Sequence, residues 1–190
     1  LIPTHLPDSI PHEMFLFSSY SVLLAAGREA AKRIMNKEPR RLRIFVVNIE
    51  AMGGSAKAAS LLDEFYRSLS VGCFIAIDES TCIKHTTSKR SKAAIKRSHA
   101  SHYRRIMTGS PVTESPLDLW GQALALRQGL FGTRSFTAFR GEYCEMEDQW
   151  INRGGAMVSF PTIVGYKNID RLGKYLDLFS SRLMKKDCLD

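Results

Sequence analysis

Short apolar runs that end in polar residues predict three strands. Residues 71–77 are rich in β-branched and aromatic side chains, and Asp78 and Glu79 follow them at once. An apolar run of this length is typical of a buried parallel strand. Residues 43–47 and 103–107 have the same character. We therefore expect three strands, with acids at the carboxyl end of the central one.

Apolar residues at helical spacing lie between and after these runs. The predicted helices cover residues 21–35, 56–69 with Ser55 as the N-cap, 88–99, 116–126 with Ser115 as the cap and Pro116 at the first position, and 170–186. Strands that alternate with helices predict the α/β class, with a mostly parallel sheet flanked by helices and right-handed crossovers.

Other stretches carry weaker patterns. Residues 1–11 hold three prolines and predict a loop, and residues 14–17 could form a short strand. Gly53 lies in a predicted turn before Ser55. Residues 158–164 could form a strand that Pro161 interrupts, and residues 154–169 as a whole are not assigned a fold.

Length and composition set limits on the class of protein. The 190 residues fit one domain with a hydrophobic core, and no apolar run is long enough to cross a membrane or to form a signal peptide. The four cysteines show neither zinc-site spacing nor a disulfide framework. We expect an intracellular, reducing environment and no membrane partner.

The adjacent acids at the end of the central strand are the first candidate for chemistry. Consecutive side chains of an extended chain point in opposite directions, so Asp78 could hold a metal ion while Glu79 reaches water or substrate. Taken alone, the pair is also compatible with an ordinary strand end whose carboxylates are solvated.

The net charge of +8 is concentrated in one segment. Between Lys84 and Arg105 no acid occurs, and the basic residues are Lys84, Lys89, Arg90, Lys92, Lys96, Arg97, Arg104 and Arg105. A polyanion such as nucleic acid is a plausible partner for this segment. A solvated helix face is the alternative.

Several motifs follow one another in a specific order. They are Asn48-Ile49-Glu50, Asp78-Glu79-Ser80-Thr81, Ile83-Lys84, Thr108-Gly109-Ser110-Pro111, Asp118-Leu119-Trp120, and the aromatic residues Phe136, Phe139 and Tyr143. In this order and spacing, the chain resembles the first motor domain of superfamily 2 helicases. It is most similar to the Swi/Snf-type ATPases, in a form like those of bacteriophages.

The resemblance implies a RecA-like fold and hydrolysis of ATP with Mg²⁺. Asp78 would hold the magnesium ion on the nucleotide, and Glu79 would activate the attacking water. Thr108 and Ser110 would link the state of the phosphates to movement against a second motor domain. The nucleic acid, by this resemblance double-stranded DNA, would contact Lys84, Lys89, Arg90, Lys92, Lys96 and Arg97.

Two departures from the family pattern affect this interpretation. Ser80-Thr81 stands where related chains often carry Ala-His, and no GxxxxGK[ST] phosphate loop occurs in residues 1–190. We therefore expect a partial ATP-binding domain, incomplete at its N-terminal side, with a helix near residues 170–186 leading toward the second motor domain.

Three functions stay open at this point. The first is an ATP-driven translocase, in which residues 1–190 alone would be catalytically inactive. The second is a strand-separating helicase, and the third is a non-catalytic nucleic-acid-binding remnant whose two acids have no catalytic role.

Overall fold

A computed structural model describes residues 23–25, 43–69 and 72–184. The elements in chain order are β1 (Leu23–Ala25), β2 (Arg43–Phe45), α1 (Ile49–Gly54), α2 (Ala56–Arg67), β3 (Phe74–Ile77), a 3₁₀ turn (Ser80–Ile83), α3 (Lys89–Ala100), β4 (Tyr103–Ile106), α4 (Asp118–Leu126), α5 (Phe136–Tyr143), β5 (Cys144–Arg153), β6 (Ala156–Tyr166) and α6 (Ile169–Asp177). The mixture of helices and small parallel sheets confirms the α/β class. The loop and strand predicted within residues 1–17 lie outside the described residues.

The first sheet corrects one helix prediction. Residues 23–25 form β1, which pairs in parallel with β2, whereas the sequence predicts that a helix begins at residue 21. Strand pairing with a segment far along the chain satisfies the backbone groups, and this outweighs the small helix preference of Ala and Leu. The rest of that predicted helix, residues 26–35, lies outside the described residues.

The second sheet joins β3 and β4 in parallel, as the apolar runs predict, although each strand is shorter than its run. The expectation that β3 is buried on both faces is wrong for the described residues. Phe74 is 59% exposed and its cross-strand partner Tyr103 is 70% exposed. Ile75, Ile77 and Ile106 point to the other face and pack against helices. This two-stranded sheet is therefore covered on one face only.

Helix α1 occupies the segment where a turn was predicted. Asn48 caps it by accepting a hydrogen bond from the Glu50 amide at 2.8 Å. A Cβ on Gly53 would lie 2.5 Å from the Arg90 Cα, so only glycine lets α1 approach α3 this closely. Ser55 caps α2, as predicted.

Two hydrophobic clusters hold the described elements together. The first lies under β3 and is built from Met52, Leu62, Ile77, Ile83, Ala94 and Ala125. The second joins α4, α5 and α6 and is built from Leu119, Trp120, Ala123, Phe131, Phe139, Tyr143 and Leu172. Trp120 packs inside this second cluster, with its ring centroid 5.4 Å from that of Phe139. Phe139 and Tyr143 are buried and Phe136 is exposed.

Strands β5 and β6 form a long antiparallel hairpin, of which the sequence patterns predicted only a strand at residues 158–164. Gly154 and Gly155 both have positive φ, 63° and 92°, and form the two-residue turn that joins the strands. Pro161 lies inside β6 opposite Asp148 and does not end the strand. Most side chains of the hairpin are exposed, and Trp150 is 62% exposed.

The C-terminal helix is shorter than predicted. Helix α6 ends at Asp177, whereas the amphipathic pattern extends to residue 186. Leu172 is buried in the second cluster, but Leu178 and Leu183 are largely exposed. Phe179 still packs against Phe131, with ring centroids 5.8 Å apart, but the exposed Leu178 and Leu183 add no packing that would extend the helix, and packing supplies most helix stability. Residues 185–190 lie outside the described residues.

Candidate functional site

The two acids at the end of β3 lie at an exposed, irregular backbone position. Glu79 has φ 47° and ψ 55°, the left-handed region that residues with a side chain seldom adopt. Its amide donates to Asp78 Oδ1 at 3.0 Å, and both side chains are exposed. Strained backbone of this kind is concentrated at functional sites. The chain therefore turns sharply at Glu79 and leaves both carboxylates in solvent.

The end of β4 lies beside the end of β3 because the two strands are parallel. The Met107 amide donates to Ile77 O at 2.8 Å, and the Ser80 amide donates to Met107 O at 2.9 Å. Thr108 follows directly, and its hydroxyl accepts from the Ser110 amide at 3.3 Å. The structure thus brings the segments that contain Asp78, Glu79, Thr108 and Ser110 to one edge of the sheet.

The segment around Asp118 was predicted as a helix start capped by Ser115, and the hydrogen bonding there agrees with this cap. Ser115 Oγ accepts from the Leu117 amide at 3.3 Å, the bond that an N-cap serine makes to the second residue after it, although the regular helix α4 begins only at Asp118. Asp118 Oδ2 accepts hydrogen bonds from the amides of Thr113 and Glu114, at 2.9 Å each. The Asp118 carboxylate therefore binds the loop that precedes the helix.

Hydrogen bonds fix the charge of Asp118. Burial alone would raise its pKa, but the bonds from the Glu114 amide and from the hydroxyl and amide of Thr113, together with the Lys84 ammonium, lower the pKa to about 2. The hydrogen bond to Glu114 raises the pKa of Lys84 in turn. The carboxylate is therefore ionised at neutral pH.

Lys84 lies at this loop as well. Its Nζ donates to Thr113 Oγ1 at 2.8 Å and to Glu114 Oε1 at 2.7 Å, and it lies 3.6 Å from Asp118 Oδ2. In the described structure its ammonium is thus engaged by protein oxygens, unlike a lysine held ready for a phosphate.

Sequence reasoning missed Gln122, a buried polar residue on α4. Ser80 Oγ donates to Gln122 Oε1 at 2.7 Å, and Gln122 Nε2 donates to Pro111 O at 2.7 Å. Ser80 is fully buried and Gln122 is 2% exposed. No sequence pattern could have identified Gln122, because a lone polar residue in a helix gives no sign of its partners.

The basic segment divides into exposed and engaged side chains. Lys89, Lys92 and Lys96 are exposed on α3, at helical spacing along one face. Arg90 pairs with Glu50, and its Nε donates to Cys82 O at 2.8 Å.

Arg97 belongs to the engaged group. It is buried, and its Nη2 lies 2.6 Å from Asp63 Oδ1. The same contact ties α3 to α2. Three of the six predicted nucleic-acid contacts, Lys84, Arg90 and Arg97, therefore already have protein partners, and the three lysines of α3 remain accessible.

The carboxylates fit a magnesium ion that a nucleotide brings with it. Within the described ranges, no cluster of three or more His, Cys, Asp or Glu side chains could hold a metal ion by itself. Magnesium commonly takes one or two carboxylates and completes its shell with phosphate oxygens and water. A single exposed Asp78 matches that donor set.

No helix in the part of the chain that the structure describes is long and apolar enough to cross a membrane.

Comparison with known proteins identifies the family. Searches of curated proteins and of solved structures returned no match. The model of the SNF2-related domain family matches residues 17–188. The chain therefore belongs to the SNF2-related family, the Swi/Snf-type ATPases of helicase superfamily 2.

Proposed function

We propose that residues 1–190 supply the hydrolytic residues of an ATP-driven motor that moves along double-stranded nucleic acid. The observation that carries this proposal is the shared sheet edge, where Asp78 and Glu79 lie next to the loop that begins at Thr108. Residues that bind phosphates and residues that activate water must meet at one point for phosphoryl transfer.

Each residue has a distinct role in this proposal. Asp78 would hold the magnesium ion of the nucleotide, which when bound neutralises charge on the phosphates. Glu79 would accept a proton from the attacking water, and its exposed carboxylate is free to do so. Thr108 and Ser110 would contact the terminal phosphate and respond to its loss.

The complete motor would need protein outside residues 1–190. The 190 residues contain no GxxxxGK[ST] loop, so the amides and lysine that surround the phosphates would come from elsewhere in a longer chain. The exposed face of Phe74 and Tyr103 supports a RecA-like sheet that further chain would cover. A second motor domain and an intracellular location belong to the same proposal.

The nucleic-acid surface would be the lysine face of α3. Lys89, Lys92 and Lys96 carry three accessible positive charges on one side of a helix. Ammonium groups on flexible side chains suit backbone phosphates and do not read base sequence. Binding should therefore be insensitive to sequence.

The Glu79→Gln substitution in the full-length native chain tests the hydrolytic role. Glutamine keeps the shape of the side chain but cannot accept the proton, so turnover should fall by about 10²- to 10⁴-fold while nucleotide affinity stays within about threefold. Glu147→Gln, at an exposed position on β5, is the matched control and should leave both quantities unchanged. Ordinary turnover in Glu79→Gln would refute the assignment.

A nucleic-acid-binding remnant is the second candidate, and the missing phosphate loop is the observation that favours it. It differs from the motor in one measurement. A full-length chain that binds duplex DNA, yet shows neither ATP hydrolysis nor binding of ATP with Mg²⁺, would be the remnant.

A further inference from the structure

We propose that Gln122 is a positioning residue that couples the 108–114 loop to Glu79, so that the two move together. The inference deepens the proposed function, on which its catalytic part rests. Gln122 touches neither acid, but it joins Ser80, the residue after Glu79, to Pro111 in the loop.

The side-chain amide of Gln122 is held in one orientation. Its oxygen accepts from the Ser80 hydroxyl at 2.7 Å, and its nitrogen donates to Pro111 O at 2.7 Å and to Asp118 O at 3.0 Å. An amide with a donor on one side and acceptors on the other cannot rotate without breaking every bond. All four groups therefore have fixed relative positions.

A second link runs parallel to the first. Asp118, one helical turn before Gln122, binds the loop through the Thr113 amide, while Lys84 contacts both Asp118 and Thr113. Ser80 and Lys84 lie four residues apart in the segment that follows Glu79, so both links begin in this segment. The first two turns of α4 thus connect the segment after Glu79 to the loop at two points.

Burial gives this connection its strength. Ser80 and Gln122 lie away from water, so a displaced Pro111 carbonyl would leave one N–H of the Gln122 amide without a partner, while the other stays bound to Asp118 O. The loop can therefore shift only if Gln122 and Ser80 shift with it. Because Ser80 follows Glu79, whose backbone is already in the left-handed region, the carboxylate of Glu79 moves with the loop.

The test uses Ser80→Ala, Gln122→Met and the double variant in the full-length native chain. Methionine keeps the volume of glutamine but makes neither hydrogen bond, and Gln128→Met is the matched control. Gln128 is exposed and donates to Arg134 O, outside this network. The measurements are ATP hydrolysis with and without duplex DNA, and amide hydrogen exchange in residues 79–80 and 108–114.

Coupling predicts that Ser80→Ala accelerates exchange of the Thr113 and Glu114 amides by about threefold or more, although neither amide contacts Ser80. In hydrolysis, Gln122→Met should lower kcat by about tenfold with KM for ATP within about threefold. The double variant should then be no worse than Gln122→Met alone, because both changes break one connection.

Each outcome separates this inference from the proposed function. If the unmodified chain hydrolyses no ATP, the proposed function fails, and hydrogen exchange alone decides about the coupling. The coupling is refuted, even in an active enzyme, if Ser80→Ala leaves amide exchange in the loop unchanged. It is also refuted if the decrease in kcat of the double variant equals the product of the decreases in the two single variants.

Discussion

Gly121 lies where α4 meets the end of the 3₁₀ turn. A Cβ at this position would come within 2.3 Å of Ile83 O and 2.6 Å of Lys84 O, so the two backbones can approach only through a glycine. The same approach brings Gln122 within reach of Ser80. One missing side chain therefore determines whether the network around Gln122 can form.

Gly121→Ala should destabilise the protein by about 1–3 kcal/mol, because the backbone must move to make room. Gly173→Ala is the matched control. Gly173 also lies inside a helix, but a Cβ there meets no atom within 4 Å, so alanine should stabilise by about 0.5–1 kcal/mol. Urea unfolding of both variants measures the difference. Equal effects of the two substitutions would show that the close approach is not rigid.

Because of Asp118, the free energy of unfolding should fall at acidic pH. Its pKa in the folded protein is about 2, below its ordinary value of 3.8, so the folded state favours the ionised form. This contribution, on the order of 2 kcal/mol, is present above about pH 4 and is lost as pH falls toward 2.

The comparison with Asp118→Asn measures this contribution. The difference in free energy of unfolding between wild type and the variant should therefore shrink between pH 5 and about pH 2. Asp148→Asn, at an exposed position on β5, should follow the wild-type curve throughout. A difference for Asp118→Asn that stays constant with pH would contradict the assigned hydrogen bonds.

Helix α3 carries two kinds of basic residue on different faces. Arg97 is buried and ties α3 to α2, whereas Lys89, Lys92 and Lys96 face solvent. Replacement of the three lysines by alanine should weaken DNA binding and reduce the salt slope of log K by up to about 3, because each lost phosphate contact removes roughly one released counterion.

A matched triple variant controls for total charge in this experiment. Lys57, Lys167 and Lys174 are exposed outside α3, and their replacement by alanine removes the same charge. The control should keep most of the salt slope if contacts at α3 dominate. Titrations of duplex DNA at several salt concentrations measure both variants. Equal slopes for the two variants would place the nucleic-acid surface elsewhere.

Local patterns predicted most elements but not all of them. The strands β3 and β4 and the helix between them followed from apolar runs and spacing, and parallel pairing then brought Glu79 and Thr108 to one edge. The strand at residues 158–164 was predicted, but its partner β5 was missed because residues 144–153 are mostly charged and polar and show no sustained apolar alternation. The role of Gln122 and the left-handed backbone of Glu79 depend on contacts that no local pattern records.

The sequence of 190 residues contains Asp78 and Glu79, to which we assign the hydrolytic role, but no GxxxxGK[ST] loop to surround phosphates. In residues 1–190 alone, Asp78 and Glu79 would have no bound nucleotide on which to act. We expect no magnesium-dependent ATP hydrolysis and no rise in melting temperature with ATP and Mg²⁺ for this segment, because a ligand stabilises only the folded state that binds it.

Thermal unfolding with and without ATP and Mg²⁺ measures this directly. The full-length native chain is the control and should show a clear rise. A comparable rise for residues 1–190 would mean that the phosphates are bound by residues other than a GxxxxGK[ST] loop.

The two tryptophans occupy opposite environments, so intrinsic tryptophan fluorescence can distinguish them. Trp120 is 7% exposed in the second hydrophobic cluster, whereas Trp150 is 62% exposed on the hairpin. Indole emission shifts to longer wavelength in water, so Trp150→Phe would leave Trp120, in the second hydrophobic cluster, as the single tryptophan of the 190 residues. The emission wavelength of Trp120 would then report when α4, the helix that carries Gln122, becomes exposed to water, without any attached dye.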